Sequence, residues 1–264
     1  MKLTHLFLAS AALAILALSL SGFAADPASS KAACQYYELR VYTTQNEDQR
    51  SLIDNYWQKA AIPACNRAGI QPIGVFTEAQ ESPTNKVYVL IPFDSFSSFE
   101  SLPARLAADT IYQSDSADFM NRTKTNSPYA RMDTSLLRAM TGMPTLALPP
   151  STAEKKPWIF ELRTYFSPTE GKAANKIAMF NAGEIPVMKE VGLNPVFFAG
   201  TLIGPQMPSL VYMVSGEDMD AHKQHWKGFG PNPVWKKIST DPQYKDNMSG
   251  IQNVFLKRTP ASQI

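Results

Sequence analysis

The 264-residue chain carries 25 basic and 23 acidic side chains, three histidines and two cysteines. It has no basic stripe and no run interleaving Lys or Arg with aromatics, which removes the electrostatic case for a nucleic-acid partner. No nucleophile, metal or phosphate motif stands out, so the sequence calls for no metal and no cofactor.

The N-terminus comes first. Lys2, the apolar run from Leu6 to Leu20 and Ser21-Gly22-Phe23-Ala24-Ala25 form the three parts of a secretory signal, with cleavage expected after Ala24. The run is short for a membrane span of roughly 20 residues, and polar Asp26 and Ser29-Ser30-Lys31 follow at once. The expectation is a signal peptide over 1–24, a secreted or periplasmic product, and no stable membrane insertion after cleavage. Removing Lys2 leaves 24 basic against 23 acidic side chains. The remaining chain of about 240 residues is enough for two compact domains or one double domain.

A flexible segment over 25–35 precedes a pattern that occurs twice. Glu38-Leu39-Arg40-x-Tyr42, Ile62-Pro63, Gly69 and Pro72 return 123 positions later as Glu161-Leu162-Arg163-x-Tyr165, Ile185-Pro186, Gly192 and Pro195. An ungapped match of this kind marks two copies of one supersecondary unit. In the first copy, 36–140, Tyr36 to Thr43 reads as a strand and Glu47 to Ala68 as a helix kinked at Pro63 and ended by Gly69. Hairpin strands Pro72 to Glu78 and Lys86 to Pro92, a helical region Ser95 to Thr123 and a strand Asp133 to Ala139 complete βαββαβ. A Pro-rich tether, 141–157, should run outside. The second copy, 158–258, has strand Trp158 to Tyr165, helix Thr169 to Val191, hairpin strands Pro195 to Ile203 and Leu210 to Ser215, helical Met219 to Tyr244, and strand Ile251 to Lys257. Residues 259–264 form a tail.

A ferredoxin-like βαββαβ unit packs helices on one face of its sheet and leaves the other bare, so two units can cover each other. The fold class expected is α+β: two ferredoxin-like βαββαβ repeats packed sheet to sheet as an intrachain pseudo-dimeric α/β barrel. Strand alternation sorts the first strand into Leu39 and Val41 on one face and Glu38, Arg40 and Tyr42 on the other. The reading places Leu39 and Val41 against the helices and turns the charged set into the barrel, facing its copies Glu161, Arg163 and Tyr165.

At these residues the chain resembles the NIPSNAP family, whose repeats open with a Tyr/Phe-Glu-Leu-Arg-x-Tyr strand. The resemblance covers nearly everything from Tyr36 to Arg258. It includes Val211-Tyr212 and Trp235-Lys236-Lys237 through Asp241-Pro242-x-Tyr244 in the second copy, thinning to Leu106 through Asp109-x-x-Tyr112 in the first. It implies the dimeric α/β-barrel form of the ferredoxin-like fold and no agreed enzymatic activity. Members are described as mitochondrial, vesicular or bacterial, and a signal peptide departs from that pattern.

The candidate ligand pocket comprises Glu38, Arg40, Tyr42, Tyr88, Glu161, Arg163, Tyr165 and Tyr212. Two roles stand open for it. Glu38 with Arg40 and Glu161 with Arg163 sit two apart on a strand face and can pair as a structural registry device. Alternatively, an Arg grips a carboxylate or enolate-like oxygen while a Tyr donates a hydrogen bond. The corresponding functions are a small-molecule-binding or accessory barrel, and a cofactor-independent enzyme of oxygenase or isomerase type acting on a small carbonyl or carboxylate compound. His222-x-x-His225-Trp226 reads as a surface or capping pair, without a third metal ligand near in sequence. Gly228 to Pro233 reads as a turn. Trp57, Trp226, Trp235, Phe76, Phe197 and Phe198 read as core. Cys34 and Cys65 should reach the same end of the first unit. They form either a bridge, contributing about 3 to 4 kcal/mol by loop-closure entropy, or two separate buried thiols. Exposed sheet edges would support an oligomer.

Overall fold

Local signals that occur once in each repeat build the elements of the computed structural model, which describes residues 33–80 and 85–264. The expected signal peptide lies outside the described residues, as does the tip of the first hairpin.

After β1 (Tyr36–Thr43), helix α1 (Glu47–Tyr56) opens on Asn46, whose side chain accepts from the Gln49 N–H, with Glu47 and Asp48 against the positive end of the helix dipole. The kink expected at Pro63 takes the form of a π turn over Trp57–Ala61, placed just before α2 (Ile62–Arg67). The Ile62 N–H reaches back to the Trp57 carbonyl. The helix thereby widens ahead of a proline that has no N–H to give and whose ring would crowd the preceding turn. The second copy repeats the device: α5 (Glu170–Met179), a π turn over Phe180–Glu184 and α6 (Ile185–Glu190), with the Ile185 N–H on the Phe180 carbonyl. Gly69 (φ 73°) and Gly192 (φ 85°) then end the two helices in the left-handed region. The N–H groups of Ile70 and Leu193 close back onto the carbonyls of Cys65 and Met188 at 2.8 and 3.0 Å.

The first copy continues with β2 (Gly74–Glu78), β3 (Lys86–Phe93), α3 (Phe96–Ala108), α4 (Thr110–Met120) and β4 (Arg131–Ala139). The second has β5 (Ile159–Phe166), β6 (Pro195–Ile203), β7 (Ser209–Gly216), α7 (Met219–Phe229), α8 (Pro233–Ser239) and β8 (Gly250–Arg258). The expected order holds throughout.

The strands close into one barrel in the order β1-β3-β2-β8-β5-β7-β6-β4. Each neighbouring pair is antiparallel. Closure depends on β4 and β8, each of which pairs with the first strand of its own copy and the second strand of the other. The sheet edges expected to support further pairing are therefore used up among the described strands.

Side chains fill the bore, including Leu39, Phe76, Leu90, Leu137, Phe160 and Leu162. Two helix layers make separate cores outside it. One is built around Ile53, Trp57 and Val89, the other around Phe180, Phe198 and Tyr212.

The terminal segment, expected only as a tail, is part of the barrel. The Gln263 N–H donates to Ile73 O at 2.9 Å. The Ile73 N–H returns a bond to Gln263 Oε1 at 2.8 Å, and Ile264 is fully buried in the barrel core. The tether does not run free either: Leu146 packs on the barrel core and the Ala147 N–H bonds Val196 O.

The two helix-ending glycines differ in one respect that can be measured. A Cβ on Gly69 would meet nothing within 4 Å, whereas one on Gly192 would lie 3.2 Å from His225 Nε2. Gly69→Ala should cost about 1 kcal/mol for the left-handed conformation alone, and Gly192→Ala more than that. Urea unfolding of both variants checks this, and equal losses would contradict it.

Candidate functional site

The alternation of β1 sorts its residues as expected, but the two faces are exchanged. Tyr37 and Leu39 point into the bore together with Phe160 and Leu162 of β5. Glu38, Arg40 and Tyr42, like Glu161, Arg163 and Tyr165, lie beneath the helices. The cause is solvation. The middle of the bore is filled by apolar side chains from both copies, with a cavity of about 190 Å³ toward one end, and Glu38, Arg40, Glu161 and Arg163 would find few polar partners there. Beneath the helices, Glu38 and Arg40 meet a cavity and Glu161 meets buried hydrogen-bond donors.

Register separates the two remaining candidates. Tyr88 pairs with Val41 across β1 and β3, whereas Tyr212 pairs with Arg163 across β5 and β7. Tyr88 therefore sits in the bore and donates to Glu78 at 3.2 Å. Tyr212 lies on the helix side and donates to the Tyr165 hydroxyl at 2.8 Å. The eight candidates are thus split between two seams and the bore, and the shared enclosed pocket expected for them does not form.

In the first copy, Arg40 donates from Nε and Nη2 to the two carboxylate oxygens of Glu38, at 2.7 and 3.0 Å. Thr134 on β4 donates to the same carboxylate at 3.0 Å. Burial alone would lower the Arg40 guanidinium, but the bonds and charge of Glu38 outweigh it and raise the group above its ordinary value. The pair lines a cavity of about 870 Å³ whose walls include Phe99, Leu102, Pro103 and Leu106 of α3. Tyr56 and Tyr112, joined hydroxyl to hydroxyl at 2.9 Å, also face this space. The cavity thus combines an apolar body with a charged, hydrogen-bonding floor.

The second copy has the same floor under a different cover. Glu161 is bonded by His222 Nε2 at 2.8 Å, by Trp226 Nε1 at 2.7 Å and by Asn253 Nδ2 at 3.1 Å. With those donors in place, Arg163 Nε stands 3.5 Å from Glu161 and its guanidinium lies over the Trp226 ring, 4.5 Å from the centroid. Lys176 and Glu184, buried at 3.0 Å, complete the layer. His222, expected as a surface or capping residue, is 1 % exposed. Sequence reasoning missed its bond to Glu161, as it missed the part Trp226 plays. The available signal was their spacing of four on α7, which puts both on one helix face.

Both cysteines are free thiols. Cys34 packs against the bore and Cys65 lies in the helix layer of the first copy, so the sheet stands between the two and the bridged reading fails. Burial pushes the Cys65 thiol up to about 11, which makes it a weak nucleophile.

These features define an α/β barrel of the dimeric type, with both halves in one chain and one candidate ligand site beneath the helices of its first half. The chain matches the NIPSNAP family over residues 37–141 and again over 160–263, and it belongs to that family. Its fold is also that of two solved structures. One is a provisionally assigned monooxygenase of Lactobacillus acidophilus, with TM-score 0.58 and 11 % identity, covering 87 % of this chain and 97 % of that one. The other is a provisionally assigned monooxygenase of Fusobacterium nucleatum, with TM-score 0.52 and 9 % identity, covering 86 % and 93 %. No curated protein matches the chain significantly.

The Glu161 cluster makes stability depend on pH. Burial would raise its carboxyl, but the His222 bond, the Arg163 charge and the bonds from Asn253 and Trp226 outweigh burial and hold it below its ordinary value. A depressed carboxyl stabilises the fold above its unfolded-state value, and that contribution is lost as pH falls through the folded-state value. Glu161→Gln should cost about 1–3 kcal/mol at neutral pH and then lose less than the wild type on acidification. Urea midpoints across the acid range check this, and parallel losses in the two proteins would contradict it.

Proposed function

We propose that this NIPSNAP-family protein is exported and binds a small organic molecule with an apolar body and a polar head in the cavity of its first repeat. The observation that carries the reading is the Glu38–Arg40 pair, set as the floor of a cavity of about 870 Å³ with apolar walls. A side-chain pair of purely structural purpose has no need of such a space beside it. The second repeat, where His222 and Trp226 occupy the carboxylate, is the structural copy.

A catalytic role, as a cofactor-independent oxygenase or isomerase acting on a small carbonyl or carboxylate compound, draws support from the likeness of fold to the two monooxygenase structures. The Tyr56 phenol favours binding over base catalysis. Burial, followed by the neighbouring Tyr112, pushes the Tyr56 hydroxyl far up, so it keeps its proton.

Export rests on Lys2, the apolar run from Leu6 to Leu20 and the small residues before Ala25. Among the described residues no helix is long and apolar enough to cross a membrane.

Two measurements test the proposal. In a thermal-shift screen of small carbonyl and carboxylate compounds and neutral aromatics, a hit should raise the melting temperature. Arg40→Ala should weaken its binding about tenfold or more, the loss of about 1.4 kcal/mol, whereas Arg163→Ala should lower the melting temperature and leave affinity unchanged. Equal effects of the two substitutions on affinity would contradict the assignment to the first repeat. N-terminal sequencing of protein recovered outside the cytoplasm should begin at Ala25, and an intact Met1 would contradict export.

A further inference from the structure

The two repeats superpose by sequence with a constant offset along their hairpins and following helices, so each residue covering Glu161 has a counterpart above Glu38. His222 corresponds to Phe99 and Trp226 to Pro103. Asn253 and Thr134 hold equivalent places opposite Arg163 and Arg40 on β8 and β4, and each donates to the glutamate of its own repeat. The floors therefore match, and the covers differ in one chemical respect. The second repeat supplies two aromatic ring N–H donors to its carboxylate, at 2.8 and 2.7 Å, one of them on a ring stacked under the arginine. Phe99 and Pro103 have no side-chain donor, and the space they leave is part of the cavity above Glu38 and Arg40.

We propose that the ligand of the first repeat is a neutral, planar aromatic compound bearing a ring N–H or phenolic O–H, bound as Trp226 is bound in the second repeat: its donor on the Glu38 carboxylate and its ring face on the Arg40 guanidinium. This inference deepens the binding-site reading above and rests on it. Two considerations support a donor-bearing aromatic over a carboxylate. Arg40 already gives Nε and Nη2 to Glu38, so the floor is charge-balanced, and an added anion would meet the carboxylate beside the guanidinium. One face of the Arg40 guanidinium already lies toward the Trp57 ring, 5.8 Å from its centroid, and Arg40 also lines the cavity, where a second ring can meet it; a cation on an aromatic face is worth about 0.5–2 kcal/mol. The apolar walls, Phe99, Leu102 and Leu106 among them, suit the body of such a ring. Tyr56 and Tyr112 offer hydroxyls to a second polar substituent.

The probes are indole, N-methylindole and benzoate, titrated into the purified protein by calorimetry. Indole should bind with one site per chain, and N-methylindole, which keeps the ring and loses the donor, should bind at least tenfold more weakly. Glu38→Gln should erase that difference. P103W, which places in the first repeat the ring found in the second, should abolish indole binding. Should P103W fail to fold, Trp226→Ala provides a second arm: it opens the matching space above Glu161, and indole should bind there as a second site and restore part of the lost melting temperature. Benzoate binding at Arg40 without indole binding would overturn the ligand class and leave the cavity reading standing. Equal affinities for indole and N-methylindole would also overturn it. Failure of all three probes, with no rescue of Trp226→Ala by indole, would overturn both.

Discussion

Closure of the barrel is the constraint from which the other features follow. Once β4 and β8 each bridge the two copies, the middle of the bore becomes a packed apolar space, with a cavity of about 190 Å³ left toward the end that Lys86, Tyr88, Asp133 and Gln252 line. β1 and β5 give that space apolar alternates, Leu39 and Leu162 among them. The charged residues of β1 and β5 then face the helices, where Glu38 pairs with Arg40 and Glu161 is met by buried donors. The position of the candidate site is thus a consequence of how the barrel closes.

The two halves meet this constraint unequally. Each copy inherits a Glu-x-Arg-x-Tyr strand and must settle a buried carboxylate. The second copy settles it internally: His222, Trp226 and Asn253 satisfy Glu161, while Lys176 answers Glu184 nearby. Ile53 and Ala61 stand in the first copy at the places of Lys176 and Glu184, so that half is more apolar around the same strand. Its Glu38 is settled by Arg40 and Thr134, with open space above. The second copy is thus covered over its glutamate, with the cavity of about 670 Å³ beside His222 and Trp226 not reaching Glu161 or Arg163, while the first is open over Glu38 and Arg40; the proposed ligand site rests on that difference.

Much of this architecture could be read in advance. The repeated Ile-Pro and Gly-x-x-Pro turns located two helices and their ends, because proline and positive-φ glycine impose the same local geometry wherever they occur. The face assignment could not be read. A period of two tells which residues share a side of a strand and says nothing about which side is dry. The placing of Tyr88 and Tyr212 in one pocket failed for a related reason: the counterpart of Tyr88 is Val211, and a shift of one residue sends a side chain to the opposite face. His222 and Trp226 were legible as a pair on one helix face, but their carboxylate partner lies 61 and 65 residues away. Only the fold brings it beneath them. The distance between Cys34 and Cys65 is likewise a property of the sheet between them.

A crystal structure of the protein soaked with indole tests the central claim most directly, since it reports both the face and the copy that hold the ligand. The account predicts density beneath the helices of the first repeat, with the ring against Arg40, its nitrogen within hydrogen-bond distance of Glu38, and none beside Arg163. Density in the bore against Tyr88, or equal density in both repeats, would contradict it.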